Sequence, residues 1–193
     1  MDEYHGRPVI FLDRDGIVNK AVVENGIPYP PHSTVGAYPT EGIKELVYSW
    51  KKFGYMVIVI TNQPDVGNRI TSKNRVDKIT RHLQAIVGFD DFFTCYHGQK
   101  ENCDCRKPKT GLFKQAHEKY NIDFSNSYMI GDRWSDIEAG RNAGCVLNIF
   151  VDNDYGHGKP LKGDNIITVK TLLDIKNEQI IPGYYTGWRY WDR

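Results

Sequence analysis

Asp13 and Asp15 stand two residues apart in Asp13-Arg14-Asp15-Gly16, directly after the apolar run Val9-Ile10-Phe11-Leu12. Two isolated acids in a loop are commonly just solvated. At the lip of a sheet they can instead hold a divalent cation against an anionic substrate. Asp132 and Asp136 follow another apolar run and would complete the oxygen ligands. Magnesium suits such a set, because it takes one or two carboxylates together with waters and substrate phosphate oxygens. Thr61 ends a third apolar run, and Lys107 lies in Arg106-Lys107-Pro108-Lys109 ahead of a helical pattern. Singly, a helix cap and a solvated basic run would explain these two.

A second set is more compact. Cys95-Tyr96-His97 and Cys103-Asp104-Cys105 form C-x-H-x5-C-x-C. Reduced surface cysteines beside a solvated His97 are the plain alternative. Three thiolates and an imidazole so close together match a closed, tetrahedral structural zinc site. With no open position, the zinc would staple a loop and activate no water. The staple abuts Arg106 and Lys107, so it would act on chemistry through position. Cys145 stands apart and is expected as a small core residue on a strand.

The elements that must carry these residues alternate. Buried strands are expected at Pro8–Leu12, Tyr55–Ile60, Phe92–Cys95, Ser127–Ile130 and Cys145–Val151. Between them, Ile43/Leu46/Val47/Trp50/Phe53, Val76/Ile79/Leu83/Ile86 and Leu112/Phe113/Ala116/Tyr120 recur at helical spacing. Ser135 and Glu138 fit a capping box opening a short helix that closes near Gly144. Alternation of this kind predicts a parallel sheet covered on both faces, with ligands beyond the carboxyl ends of its strands. Pro28, Pro30, Pro31 and Pro39 mark residues 23–40 as a surface flap or loop.

The chain has 193 residues and a formal net charge of +1. Its length predicts one domain, 1–180, followed by an aromatic tail, 181–193, that packs on the domain or on a second subunit. Balanced charge argues against nucleic acid or an anionic membrane as partner. No stretch approaches the ~18 apolar residues of a membrane span. The opening Met1-Asp2-Glu3-Tyr4-His5-Gly6 is acidic and polar, unlike a secretory signal, so a cytoplasmic location is expected. A monomer acting on a small molecule is the simplest expectation.

In chain order the motifs are strand-Asp-x-Asp, strand-Thr, Lys before a helix, and strand-Gly-Asp-x-x-x-Asp. This set resembles the haloacid dehalogenase superfamily over about Val9 to Val151, which implies a three-layer α/β/α Rossmann-like sandwich. The resemblance implies Asp13 as nucleophile, forming an aspartyl phosphate, and Asp15 as the acid and then the base. Dehalogenases of the superfamily lack the second Asp, so phosphate chemistry is favoured. The physics is independent of the resemblance. Two unit charges at 4 Å repel by about 4 kcal/mol at an effective dielectric near 20. A Mg²⁺, Lys107 and the Thr61 hydroxyl would offset that repulsion.

Cys-x-His…Cys-x-Cys-Arg-Lys-Pro, together with Asp-Arg-Asp-Gly and Thr-Asn-Gln, looks like the D-glycero-D-manno-heptose-1,7-bisphosphate phosphatases. Histidinol-phosphate phosphatase domains share nearly the same signature. Both branches lack a large cap domain, so loops shape the pocket. The heptose resemblance implies Asp13, Asp15 and Asp132 on Mg²⁺, with Asp15 through its backbone carbonyl. It implies Thr61, Asn62, Gln63, Arg106 and Arg133 at the substrate, Lys107 at the phosphoryl group, and Cys95, His97, Cys103 and Cys105 on zinc. The chain departs from that group in Pro64-Asp65, where Ser-Gly is usual, in Arg133, where Lys is frequent, and in a shorter zinc loop. The expected function is Mg²⁺-dependent hydrolysis of a small sugar phosphate. Two alternatives accompany it: a histidinol-phosphate phosphatase, whose amine an acid such as Asp65 or Glu24 would suit, and an inactive zinc-stapled binding module.

Overall fold

The computed structural model describes residues 6–24, 27–155, 163–176 and 180. Five strands fall where the apolar runs predict them: β1 (Val9–Leu12), β4 (Met56–Asn62), β5 (Asp91–Cys95), β6 (Tyr128–Gly131) and β7 (Leu147–Val151). A further strand, β8 (Ile166–Val169), adds to the edge. The six form one sheet in the order β5-β4-β1-β6-β7-β8, and every neighbouring pair is parallel.

Both faces of this sheet are covered. On β1, Ile10 and Leu12 join a core with α1 (Ile43–Lys52) and α3 (Lys73–Val87), through Val47, Trp50, Ile79 and Leu83. Val9 and Phe11 point the other way, into a second core with Leu112, Phe113 and Ala116 of α4 (Gly111–Tyr120). Ala139 of α5 (Trp134–Ala143) belongs to this second face. Period-two alternation with apolar residues on both sides is why these strands are uninterrupted apolar runs. The result is the expected three-layer sandwich.

Three local expectations are corrected. The proline-rich flap is partly regular: β2 (Val22–Glu24) and β3 (Ile27–Tyr29) pair antiparallel as a small separate hairpin. Pro28 is tolerated because a two-stranded ribbon leaves its missing N–H unneeded by a neighbour. The cap of α5 is not Ser135: the helix starts earlier, after Arg133, whose backbone N–H donates to Asp136 Oδ2 at 3.0 Å. Asp136 therefore supplies the reciprocal bond expected of Glu138. Cys145 is buried as expected but lies in the turn before β7, its N–H donating to the Gly140 carbonyl.

Between β4 and α3 the chain makes one extra turn of helix, α2 (Pro64–Gly67). Among the described residues no helix is long and apolar enough to cross a membrane. The aromatic tail expected to pack on the domain lies outside the described residues.

Candidate active site and metal centres

Adjacent parallel strands put the ends of β1, β4 and β6 side by side, and the side chains that follow them converge. Asp13 follows β1, Thr61 and Asn62 close β4, and Asp132 follows β6. Asp13, Thr61, Lys107, Asp132 and Asp136 are all buried. Lys107 Nζ lies 2.7 Å from Asp13 Oδ1 and 2.7 Å from Asp136 Oδ1, and donates to the Ile60 carbonyl at 2.8 Å. Its three N–H donors thus meet three acceptors.

The approach of these groups depends on two glycines. Gly16 has φ +96°, and a Cβ there would collide with the Asp132 carboxylate. A Cβ on Gly131 would collide with Asp136. Any side chain at either position would force the carboxylates apart.

Lysine 107 is held from its backbone as well. The Asn62 amide donates to the Lys107 carbonyl and accepts from the Lys107 N–H, both at 3.1 Å. Asn62 borders the cavity, as its predicted substrate role requires, but its amide is engaged by this clasp. Gln63 is engaged too: its Nε2 donates to Asp15 Oδ2 at 2.7 Å and to Thr61 Oγ1 at 3.0 Å.

Asp15 is set apart from the other carboxylates. Arg14, fully buried, forks onto it, Nε to Oδ1 at 3.1 Å and Nη2 to Oδ2 at 2.8 Å. Thr80 of α3 accepts from Arg14 Nη1 at 3.1 Å. Burial opposes ionisation of Asp15, but the Arg14 charge and hydrogen bonds hold its carboxyl below the usual range. Arg14 was not singled out from sequence.

The remaining acids form a cluster that lacks compensation. One oxygen from each of Asp13, Asp132 and Asp136 can lie within 4.8 Å of the others. Burial pushes Asp13 up to about 6, against the lowering pull of Lys107 and with the help of Asp136 and Asp15. Burial, then Asp13 and Asp136, also raises Asp132. Burial opposes protonation of Lys107, yet the two facing carboxylates raise its pKa. One ammonium cannot neutralise three carboxylates. Asp132 Oδ1 is buried with no hydrogen-bond partner, while Asp132 Oδ2 accepts from Asn153, another contributor the sequence did not reveal. Hard oxygen donors, surplus negative charge and an orphaned buried oxygen fit a divalent cation such as Mg²⁺.

These groups floor a cavity of about 270 Å³. Its walls include Tyr29 and Pro30 from the hairpin, Asp65 from α2, and Gln99, Arg106, Arg133 and Ser135. Arg106 Nη1 is buried without a partner, and Arg133 is exposed at the rim. All of the predicted residues except Asp132 and the Cys/His set thus line one cavity.

The second predicted cluster is also brought together. Cys95 Sγ and Cys105 Sγ each lie 3.6 Å from Cys103 Sγ. His97 Nδ1 lies 3.7 Å from Cys95 Sγ and 3.2 Å from Cys105 Sγ. A tetrahedron with Zn–S bonds of ~2.3 Å has sulfur–sulfur edges of ~3.8 Å, so the four atoms suit a zinc ion. All four ligand positions come from protein. Cys95 ends β5, beside Asn62 of β4 in the sheet register, and Cys105 precedes Arg106 and Lys107 directly. The cluster therefore adjoins the clasp that holds Lys107.

Known proteins share this architecture. A family profile described as HAD-hydrolase-like matches residues 104–162. The D-glycero-beta-D-manno-heptose-1,7-bisphosphate 7-phosphatase of Vibrio cholerae is 34% identical over 177 residues, covering 84% of this chain and 90% of that protein. The enzyme of the same name from Helicobacter pylori is 36% identical over 148 residues, 74% of this chain and 82% of its own length. A D-glycero-alpha-D-manno-heptose-1,7-bisphosphate 7-phosphatase of Photorhabdus laumondii is 31% identical over 182 residues, 86% and 96% of the two chains. Among solved structures, a D,D-heptose 1,7-bisphosphate phosphatase from B. bronchiseptica, complexed with magnesium and phosphate, superposes with a TM-score of 0.72. It covers 85% of this chain and 93% of its own, at 22% identity, and so bears on the fold. With relatives this similar over this much of its length, the chain belongs to the heptose-1,7-bisphosphate 7-phosphatase family of HAD-like hydrolases.

Proposed function

We propose that the chain is a Mg²⁺-dependent phosphatase that removes the 7-phosphate of D-glycero-D-manno-heptose 1,7-bisphosphate. The observation that carries this reading is the buried ammonium of Lys107, 2.7 Å from Asp13 Oδ1, beside acids whose charge it leaves partly uncompensated. The relatives' names supply the sugar and the 7-position, and both the alpha and beta anomers occur among them.

Asp13 is the nucleophile. A carboxylate oxygen forms a bond to phosphorus as the bond to the sugar oxygen breaks, leaving an aspartyl phosphate. Water then attacks phosphorus and releases inorganic phosphate. Asp15, kept ionised by Arg14 and Gln63, relays to the departing sugar oxygen a proton brought in on the substrate's phosphate monoanion, and then takes one from the attacking water. Lys107 keeps Asp13 oriented and offsets the repulsion between carboxylate and phosphate. Asp13, Asp132 and the Asp15 backbone carbonyl would hold Mg²⁺. That ion supplies electrostatic stabilisation of the transferring phosphoryl oxygens when bound. Arg106 and Arg133 are the cationic partners for further substrate oxygens, with Thr61 and Gln63 at the floor.

Cys95, His97, Cys103 and Cys105 hold a structural zinc. It keeps the loop beside Arg106 and Lys107 in one position. Reduced thiolates of this kind suit the cytoplasm, and they support a cytoplasmic location for the chain.

The test is phosphate release from D-glycero-D-manno-heptose 1,7-bisphosphate, from other phosphorylated sugars and from histidinol phosphate, with and without Mg²⁺. Preferred, Mg²⁺-dependent turnover of the heptose bisphosphate is expected. Preference for histidinol phosphate would overturn the substrate, and absence of turnover on the whole panel would overturn the enzyme.

A further inference from the structure

Four acids line the cavity: Asp13, Asp15, Asp65 and Asp136. Three are engaged. Asp13 and Asp136 share Lys107, and Asp15 holds Arg14 and Gln63. Asp65 differs. Half-buried on the one-turn helix α2, its side chain makes no hydrogen bond or ion pair with any described residue.

Its backbone is nonetheless fixed. The Asp65 carbonyl accepts from the N–H groups of Ile70 and Thr71 at 2.8 and 3.2 Å, and Asn68 N–H donates to the Pro64 carbonyl at 2.9 Å. Gln63, directly before this turn, is tied to Asp15 and Thr61. The Asp65 carboxylate is thus carried by a rigid turn one residue from the catalytic floor. The cavity also contains two cations that make no ion pair within 4 Å among the described residues, Arg106 with its buried Nη1 and Arg133 at the rim. Opposite charges that line one cavity and leave each other unpaired make its wall chemically two-sided.

We infer that Asp65 is a specificity-determining residue: its carboxylate accepts hydrogen bonds from sugar hydroxyls, while the phosphoryl groups lie on the arginine side. The inference rests on the sugar-phosphate reading above and extends it to the polyol portion of the substrate. A carboxylate accepts only, so it matches hydroxyl donors and repels a phosphate. An acidic residue here therefore selects for a hydroxyl-bearing face and against substrates that bring a second anion to this wall.

The test compares the full chain with Asp65→Asn and Asp65→Ala on two substrates, the heptose bisphosphate and acetyl phosphate, which carries no hydroxyl. The readout is the ratio of their kcat/KM values. Charged hydrogen bonds are strong enough that the ratio should fall about ten- to a hundred-fold in both variants, mainly through KM for the sugar. Equal losses on both substrates would make Asp65 merely structural and overturn the inference. An unchanged ratio would overturn it as well. Failure of the unsubstituted protein to hydrolyse the heptose bisphosphate, with acetyl phosphate turned over, would instead remove the substrate reading on which the inference stands.

Discussion

The two clusters of this protein solve opposite electrostatic problems. In the Cys/His cluster, three thiols and an imidazole from residues 95–105 bring four donor atoms within 4.8 Å of one another, enough to enclose one ion from protein alone. In the carboxylate crevice, Asp13 from one strand end meets Asp132 and Asp136 from another, only Asp13 and Asp136 reach the Lys107 ammonium, and part of the negative charge is left uncompensated. A satisfied cluster holds a shape. An unsatisfied one invites a partner, which in the proposed reaction is the cation and the phosphate.

That contrast can be broken, most severely at Asp13. Asp13→Asn should lower phosphate release by about 10⁴-fold or more, as removal of a nucleophile does, with zinc content unchanged by metal analysis. Substantial residual turnover would place the nucleophile elsewhere. Lys107→Met comes next. It should reduce kcat by roughly 10²- to 10³-fold, and leaving Asp13 and Asp136 buried beside no cation should cost about 3–5 kcal/mol in denaturant unfolding. Stability equal to the parent would show that the lysine does not compensate the acids.

The proposed zinc site should act on activity more weakly. Cys103→Ser should release zinc and lower Tm by about 10 °C, given that a kcal/mol corresponds to roughly 2–4 °C at this size. Turnover should fall only by about ten-fold, through misplacement of Lys107. Zinc loss with full turnover would separate the two clusters altogether. The smallest effect is a pH dependence. Burial raises Asp13 to about 6 and also raises Asp132, so without metal the folded chain binds protons more tightly than the unfolded one. Stability from these groups therefore grows as pH falls from above 6 toward ~4, and is lost as pH rises through that window. Protons and Mg²⁺ compete for the same oxygens, so the rise in Tm on adding Mg²⁺ should be larger at about pH 7.5 than at about pH 5. The reverse order, in thermal melts of zinc-loaded protein, would contradict the crowding of charge described here.

What could be read from the sequence follows from how each feature is encoded. The Cys/His set is local, so spacing alone reveals it. The strand ends carrying Asp13, Thr61 and Asp132 were legible because strands buried on both faces leave continuous apolar runs with abrupt polar stops. The β2–β3 hairpin was not, since three-residue strands, one with a proline, leave no period to detect. At α5, Ser135 with Glu138 has the residue types of a capping box, whereas Arg133 is not a usual cap residue, so the bond from its N–H to Asp136 leaves no signal in residue types. Arg14 and Asn153 were invisible for another reason. Each meets a decisive partner only in the fold: buried Arg14 reaches Thr80 of α3, and half-buried Asn153 reaches Gly16 and Asp132.

The Asn62 clasp has a consequence for how this loop can evolve. One side chain at the end of β4 grips both the N–H and the carbonyl of Lys107. The ammonium's position is therefore referenced to the sheet by this clasp and to the Cys/His cluster by Cys105, two residues before it, so the segment between His97 and Cys103 has the weakest hold on it. Between Gly98 and Asn102, insertions or deletions can reshape the mouth of the pocket, and with it the molecules admitted, while the machinery beneath keeps its alignment.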